Sequence, residues 1–207
     1  MSRTQEAVEI IEVRTGNAVT ATLHVELDEL EVIDVETVWA PERLRALRKL
    51  RENGVPANLL PQHVHWNWAL KAVKTSNLLA FRSFGIEANG KMQGLMMVLL
   101  TGKSARLDPD RGKPLVYIDF VETAPWNAKE FTASPRYKGV GLRFVQAAAQ
   151  LSIDEGFGGR VGLHSLSQSI PFYTKGCEMQ ALGPDTSYLN LEYFELTAAK
   201  VNDLLKK

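Results

Sequence analysis

Two cations and two glycines lie within the six residues RYKGVG at positions 136–141. The stretch follows predicted strands and opens a predicted helix, and the start of a helix presents unpaired N–H groups that favour an anion. Gly139 and Gly141 let the backbone approach a ligand where a Cβ would collide, and Arg136 and Lys138 add positive charge. The stretch therefore predicts a phosphate or pyrophosphate site, although such a glycine pair is also typical of a plain tight turn.

Two nucleotide-binding motifs can be tested against this stretch. A P-loop ends in Gly-Lys-Ser/Thr, and that triplet does not occur here. A dinucleotide fingerprint needs a third glycine three positions after the second, and position 144 is Phe. Both motifs are therefore excluded.

A third pattern fits. Arg-x-x-Gly-x-Gly, after a strand and at the start of a helix, resembles the coenzyme A loop of the GCN5-related N-acetyltransferases. Downstream, IPFYTKGCEM is similar to that family's Phe-Tyr-x-x-Gly segment. The distance from Gly141 to Tyr173 suits the helix, strand and helix that the family places between them, and the resemblance covers residues 77–196. It implies acetyl-CoA as co-substrate and direct transfer of an acetyl group to an amine, without a covalent enzyme intermediate.

The resemblance also implies a fold and a position for acetyl-CoA. The fold class is α+β, with a mixed, mostly antiparallel sheet flanked by helices and with splayed central strands that form the acyl-CoA cleft. These strands are expected at 115–123 and 160–165, and the loop amides are expected to hold the pyrophosphate. The residues expected to bind the cofactor are Val121, Thr123, Arg136, Tyr137, Lys138, Gly139, Val140, Gly141, Leu142 and Ser169.

The resemblance suggests an acid and a base. Tyr173 matches the family's tyrosine near the CoA sulfur, and its phenol is protonated at pH 7 and able to donate; the alternative is a tyrosine that packs beside Phe172. The family often places a glutamate base on the strand before the loop. Asp119 and Glu122 lie three apart there and are expected on opposite faces. Glu122 is the preferred base, with a surface or loop-anchoring carboxylate as the alternative.

Three features depart from the family pattern. The loop at 124–135 is longer than usual, which blurs the choice of base. Leu166 stands where the family often has an asparagine, and Ser167 or Ser169 is a substitute donor or acceptor. Cys177 replaces an aromatic residue and is expected to be a small buried side chain rather than a nucleophile.

Other aromatic and imidazole side chains are candidates for an acceptor site. In PQHVHWNW, His65, Trp66 and Trp68 are expected to line the substrate pocket or else to pack in the core, and Trp126 is expected in a lid. The spacing of His63 and His65 does not suit a helical metal pair, so no metal is predicted. On its strand, His164 is expected to be a packed histidine. The residues preferred for the acceptor site are His65, Trp66 and Trp126.

Composition limits the partners. The chain has 207 residues, 24 basic and 24 acidic, so it has no basic field for nucleic acid. Its one cysteine excludes an internal disulfide, and no signal peptide or membrane span is recognised. We predict a cytoplasmic protein that takes a small-molecule or peptide amine, with a homodimer possible. The competing classes are a non-catalytic acyl-CoA-binding protein and a domain without a ligand.

The chain is predicted as one acyltransferase domain, 1–207, with an N-terminal strand extension at 1–40 and an acyl-CoA-binding core at 77–196. A hairpin turns at Gly16-Asn17, and LEVIDVETV at 30–38 suggests a third strand. A helix is predicted from Pro41, with Leu44 on its apolar face and the charges of residues 43–51 in solvent. A second helix is predicted from Pro61. Strands at 77–87 and 91–101 are joined at Asn89-Gly90.

Overall fold

The computed structural model describes residues 4–207, so the first three residues of the predicted extension lie outside the described part. The chain forms two compact units. The first comprises residues up to Leu79 together with Ser83–Leu95 and Glu122–Gly141; the second comprises Ala80–Arg82, Met96–Val121 and Leu142–Lys207. The assignment of the whole chain to one acyltransferase domain stays a prediction.

Residues 4–207 form nine strands and four α-helices. The strands are β1 (Gln5–Glu12), β2 (Ala18–Val25), β3 (Phe81–Ala88), β4 (Lys91–Leu99), β5 (Val116–Thr123), β6 (Tyr137–Lys138), β7 (Val161–Ser165), β8 (Gln180–Asp185) and β9 (Leu191–Leu196). The helices are α1 (Glu29–Glu52), α2 (Trp68–Thr75), α3 (Val140–Asp154) and α4 (Val201–Leu205). Among these described residues, no helix has the length and apolar character needed to cross a membrane.

In the first unit, two hairpins form as predicted. The chain turns between β1 and β2 at Gly16, whose φ is +75°, and the two strands pair antiparallel with Ile10 opposite Val19. Asn89 and Gly90 both have positive φ and join β3 to β4. The strand order in this part of the sheet is β6-β1-β2-β3-β4.

The helix α1 corrects the prediction of a third strand. It begins at Glu29, where Asp28 and Glu31 form a capping box: the Glu31 N–H donates to the Asp28 carboxylate at 2.9 Å, and the Asp28 N–H donates to Glu31 at 2.9 Å. The strand at 30–38 and the helix start at Pro41 are therefore wrong, and Pro41 lies inside the helix. Val32 is the one β-branched residue of this segment on the buried face of the helix, which is formed by Val32, Glu36, Trp39, Arg43 and Leu47.

The buried face of α1 also corrects two finer expectations. Leu44, expected on the apolar face, is 63% exposed. Arg43, expected in solvent, is buried. The charge pattern was misleading because a buried arginine looks the same in sequence as an exposed one until its carboxylate partners are known.

The helix α2 is shorter than predicted. It begins at Trp68 rather than at Pro61, because Asn67 caps it by accepting a 2.8 Å hydrogen bond from the Leu70 N–H. Residues 61–67 instead form turns that carry His65. This places the histidines and Trp66 of PQHVHWNW outside the helix.

In the second unit the strand order is β5-β7-β9-β8. The strands β5 and β7 are parallel, whereas β9 runs antiparallel to both β7 and β8. The strand β8 was not predicted, because a register shift between Ala181 and Pro184 interrupts its pattern. The helix predicted after RYKGVG is present as α3, and its Val145 and Ala149 are fully buried.

Candidate active site

The parallel strands β5 and β7 stop pairing with each other before either strand ends. Their register pairs Val116–Ile118 with residues 161–163, as Val116 with Val161, Tyr117 with Gly162 and Ile118 with Leu163. Among the described residues the register stops there, although β5 continues to Thr123 and β7 to Ser165. The register that the two strands share therefore covers only three residues of each strand.

The stretch RYKGVG is anchored more firmly than a free loop. Its Tyr137 and Lys138 form β6, in which Lys138 pairs with Ile11 of β1, and the Val13 N–H donates to the Arg136 carbonyl at 2.9 Å. Gly139 follows with a φ of +92°, a conformation that side chains rarely adopt, and α3 begins at the next residue. The glycine turn therefore delivers the first amides of α3 from a fixed backbone.

A hydrogen-bond network fixes the long segment before this turn. The Tyr137 N–H donates to Asn127 Oδ1 at 3.0 Å, and the Tyr137 hydroxyl accepts from Asn89 Nδ2 at 2.6 Å. Asn127 Nδ2 and Trp126 Nε1 both donate to Gln93 Oε1, each at 2.9 Å. The indole expected in a lid is thus held by the Gln93 amide, and Trp126 as part of the acceptor site stays a prediction.

The carboxylate of Glu122 lies buried in the first unit. Trp68 Nε1 donates to its Oε2 at 2.6 Å, and Arg43 Nη2 donates to its Oε1 at 3.4 Å. His63 Nε2 lies 3.7 Å from the same Oε1. Trp68, expected to line a pocket or to pack in the core, is fully buried and holds the proposed base.

A second carboxylate completes what we call the glutamate–arginine cluster, formed by Glu36, Arg43 and Glu122. Arg43 Nη1 donates to Glu36 Oε1 at 3.0 Å and to the Trp66 carbonyl at 2.9 Å. The other oxygen of Glu36 accepts from the Trp68 N–H at 3.0 Å. Sequence analysis missed Glu36 and Arg43; the signal was their spacing of seven residues, which places both on the face of α1 that Trp39 buries.

Burial shifts the proton affinities in this region. Burial raises the pKa of Glu122 to about 7, a shift that the nearby Glu36 increases and that Arg43 and the Trp68 hydrogen bond oppose. Burial and, to a lesser extent, the positive charge of Arg43 lower the pKa of His63 to about 4. At pH 7, His63 is therefore neutral and Glu122 is divided between its two protonation states.

In the second unit, Tyr173 lies in a single π-helical turn, Phe172–Gly176. Its ring is buried, 5.0 Å from the ring of Phe172 and 5.7 Å from that of Phe194. Burial raises the pKa of this phenol above its ordinary value, so it stays protonated at pH 7. The expected packing on Phe172 is thus present, and the role of acid is compatible with it. Cys177 beside it is buried, as predicted.

The remaining predicted residues divide between the two units. His65 is exposed in its turn, and Lys71 Nζ lies 4.8 Å from the ring centroid of Trp66. Ser169 ends a short 3₁₀ turn and donates its N–H to the Leu166 carbonyl at 2.9 Å. The first unit holds Glu122, Thr123, Trp126, Arg136, Tyr137, Lys138, Gly139, Val140 and Gly141, with His65 and Trp66; the second holds Val121, Leu142, Ser169 and Tyr173.

Comparison with known proteins gives a result for the fold and none for the sequence. No protein-family model matches the chain, and no curated protein matches it significantly. An uncharacterised protein from Bacillus halodurans is similar in structure at a TM-score of 0.57 and 8% identity, over 97% of this chain and 94% of that one.

Two further similar structures contain coenzyme A or its disulfide. RimJ from Mycobacterium smegmatis, solved with CoA-disulfide, has a TM-score of 0.52 at 12% identity over 100% of this chain and 96% of that chain. The PaiA N-acetyltransferase from Thermoplasma acidophilum, solved with coenzyme A, has a TM-score of 0.50 at 12% identity over 84% and 97%. The chain has the fold of the GCN5-related N-acetyltransferases, which confirms the predicted fold class.

Proposed function

We propose that the protein is an acetyl-CoA-dependent N-acetyltransferase that passes an acetyl group directly to an amine. The observation that carries the proposal is the early end of the β5–β7 register at Ile118 and Leu163, in a chain whose glycine turn then opens α3. Two parallel strands that stop pairing with each other early suit the amide-rich pantetheine arm, and helix amides suit a pyrophosphate. The coenzyme A ligands of the PaiA and RimJ structures support the same choice of co-substrate.

The cofactor would be held by backbone groups and by two cations. The amides from Lys138 to Leu142 would bind the pyrophosphate, with Arg136 and Lys138 adding charge. Both cations are exposed, so a ligand in solvent can reach them. Val121 and Thr123 of β5 would pair with the pantetheine arm, and Ser169 would bind from the segment after β7.

The amine must lose a proton before or during its attack on the thioester. An amine like that of lysine, with a pKa near ~10.4, is neutral about once in 2,500 molecules at pH 7, a cost of about 4.6 kcal/mol. An α-amino group with a pKa of about 8 needs far less help. The value of a base therefore depends on the acceptor.

Glu122 is the proposed base. A pKa of about 7 means that a substantial fraction of Glu122 accepts a proton at neutral pH while the protonated form remains strong enough to release it. Trp68 and Arg43 use two of the roughly four acceptor positions of a carboxylate, so a water or an amine can still donate to it. Arg43 keeps the carboxylate from being neutralised outright.

Tyr173 is the proposed acid. As the C–S bond breaks, the electron pair goes to sulfur, and the phenol would donate a hydrogen bond to the departing thiolate. A phenol with a raised pKa is a weak acid, so its contribution is a hydrogen bond that becomes stronger as charge develops on the sulfur.

The cofactor site is tested by calorimetric titration of acetyl-CoA into the wild type and into Gly141→Glu. The substitution adds a side chain and a negative charge at the first turn of α3, so we expect micromolar binding to be lost. Gln150→Glu adds the same charge at an exposed position further along α3 and should retain binding. Absence of binding to the folded wild type would overturn the proposal.

The chemistry is tested with a panel of amines. With a lysine-like acceptor, Glu122→Gln should lower kcat by about 10²-fold and Tyr173→Phe by a similar factor, the lower range for acid–base catalysis. In the wild type, kcat should rise with pH through about 7, and Glu122→Gln should remove that rise. An unchanged pH profile in Glu122→Gln would show that this carboxylate is not the base.

A second candidate function is a non-catalytic acyl-CoA-binding protein of the same fold. The observation that favours it is the enclosure of Glu122, whose two oxygens both already accept hydrogen bonds within the first unit. Acetyl-CoA binding that Gly141→Glu abolishes, with no turnover for any amine in the panel, would support this alternative.

A further inference from the structure

Two cations of the segment between β4 and β5 lie over aromatic rings in the second unit. Lys103 Nζ is 4.8 Å from the ring centroid of Tyr117 and 4.5 Å from that of Tyr188, and it donates a hydrogen bond to the Tyr188 hydroxyl. The Arg106 guanidinium is 3.9 Å from the ring centroid of Tyr193. Aromatic faces that enclose an ammonium are a recognised means of binding cationic ligands.

A histidine fixes the walls of this site. The ring of His164 stacks on Tyr188, with centroids 4.0 Å apart and planes at 5°. The Tyr117 hydroxyl lies 2.7 Å from His164 Nδ1, and His164 Nε2 lies 3.1 Å from Asp185 Oδ2. A neutral imidazole with its proton on Nε2 satisfies both bonds: it accepts from Tyr117 and donates to Asp185. We call the rings of Tyr117, His164, Tyr188 and Tyr193 the aromatic cage.

The charges of the cage suit a cation. Burial raises the pKa values of Tyr117 and Tyr193, so both phenols are neutral at pH 7 and keep their electron-rich faces. Hydrogen bonds from Ser187, Arg106 and His164 lower the pKa of Asp185, which therefore remains an anion. The neutral rings of the cage thus lie beside the Asp185 carboxylate, which also pairs with Arg106 Nη2 at 2.7 Å.

The lysine in the cage can leave without movement of the backbone that carries it. The segment is held by other bonds: the Arg106 and Leu107 N–H groups donate to the Glu195 carboxylate at 2.5 and 3.1 Å, and the Ala105 N–H donates to the Lys113 carbonyl at 2.9 Å. Lys103 and Tyr188 are both only half-buried.

The cage also lies where β5 and β7 separate. Tyr117 directly precedes Ile118, the last residue of β5 that pairs with β7, and His164 directly follows Leu163, the last residue of β7 that pairs with β5. The hydroxyl-to-imidazole bond therefore spans the two strands at the end of their register.

We propose that the aromatic cage is a binding site for an alkylammonium group, and that Lys103 occupies it as a built-in competitor. The ligand class is a primary amine on an unbranched chain, because that is the group the cage already holds. The identification of this ligand as the acetyl acceptor rests on the proposed function. The binding of an alkylammonium group to the cage does not.

The test uses Lys103→Ala and n-propylammonium chloride, which restores the atoms that the substitution removes. Titration followed by calorimetry or by the NMR signals of the tyrosine rings, without acetyl-CoA, should give saturable binding at least tenfold tighter than in the wild type. Adding Tyr188→Ala to Lys103→Ala should abolish it. Absence of saturable binding by the folded Lys103→Ala protein, or equal binding of neutral n-propanol, would overturn the proposal.

Lys113→Ala is the matched control, because Lys113 lies in the same segment but pairs with Asp110, at 2.8 Å. It should bind n-propylammonium no better than the wild type does.

Should Lys103→Ala not fold, the wild type gives a second measurement. n-Propylammonium should displace Lys103 from the rings and shift the NMR signals of its Cε protons, with the signals of Lys113 unchanged. Unchanged signals of Lys103 at saturating n-propylammonium would count against the cage. Because neither experiment contains acetyl-CoA, its outcome is separate from that of the calorimetric test of the cofactor site.

Discussion

The glutamate–arginine cluster and the aromatic cage both hold arginine or lysine side chains, but they hold them in opposite ways. In the cluster, Arg43 is buried between two buried carboxylates, with side chains no more than 7% exposed. In the cage, Lys103 is half-buried and Arg106 is exposed, and each lies over a neutral ring. Because Arg43 is removed from water, its charge must be paired with carboxylates. Lys103 remains partly in solvent, so another cation can take its place.

This difference assigns the two regions different uses. A buried carboxylate between an arginine and a second carboxylate has a proton affinity set by its surroundings, as the pKa of about 7 for Glu122 shows. A half-exposed aromatic site holds its lysine over neutral rings, so it can exchange one cation for another. The contrast would fail if the arginine of the cluster could be removed at little cost in stability, or if the lysine of the cage proved as necessary for stability as Arg43.

The largest effect is expected from Arg43→Met. The substitution leaves the carboxylates of Glu36 and Glu122 buried without their cation, and breaking a buried pair in this way costs about 3 to 5 kcal/mol of the free energy of unfolding. Denaturant titration at pH 7 measures the loss. The loss should shrink at pH 5, where the raised pKa of Glu122 allows it to bind a proton and shed its charge.

Arg45→Met is the control on the same helix. Arg45 Nη1 lies 2.7 Å from Glu42 Oε1, closer than Arg43 lies to either of its partners, but the pair is exposed. Such pairs contribute about 0 to 1 kcal/mol, so the variant should be nearly as stable as the wild type. Equal losses for Arg43→Met and Arg45→Met would show that burial does not distinguish the cluster.

A smaller effect on the free energy of unfolding is expected from a change of pH. The contributions of Glu122 and His63 change in opposite directions as pH rises. The folded pKa of Glu122 is above its ordinary 4.5, so its stabilisation is complete below 4.5 and is lost as pH rises through about 7. The folded pKa of His63 is below its ordinary 6.5, so its stabilisation is present above 6.5 and is lost as pH falls through about 4. Between about pH 4.5 and 6.5 the two contributions oppose each other.

Single substitutions should separate these contributions. Relative to the wild type, Glu122→Gln should gain stability as pH rises from 5 to 7, by up to about 3 kcal/mol, and His63→Gln should lose stability over the same range. Denaturant titrations at several pH values measure both differences. Parallel curves for all three proteins would contradict the pKa shifts of both residues.

The sequence predicted the second unit better than it predicted the start of the chain. The strands β5 and β7 and the helix α3 each carry a local signal: an apolar or β-branched run, or a glycine turn before a helix. The segment at 30–38 carried two opposing signals. Its valines and isoleucine favoured a strand, whereas Asp28 and Glu31 favoured a helix start, and the burial of Trp39 against the fold decided for the helix.

The residues of the candidate site likewise differ in how far the sequence alone could identify them. RYKGVG could be recognised from its own six residues, since a glycine turn before a helix is a local pattern. The partners of Glu122 could not, because Arg43 and Trp68 lie 79 and 54 residues away in the chain. The cage was missed for the same reason: Lys103, Tyr117 and Tyr188 come from separate segments, and none of them has a signature of its own.

The smallest effect is expected in the cage, where it measures how exchangeable the lysine is. A double-mutant cycle of Lys103→Met and Tyr188→Leu should give a coupling free energy of about 0.5 to 1 kcal/mol, the usual contribution of a cation–π contact at a partly exposed site. Both variants should remain folded, because the backbone of this segment is held by Glu195 rather than by the lysine. Thermal or denaturant unfolding of the four proteins measures the coupling. A coupling as large as the loss in Arg43→Met would mean that Lys103 is a fixed part of the structure, and the contrast between a buried cluster and an exchangeable cage would fail.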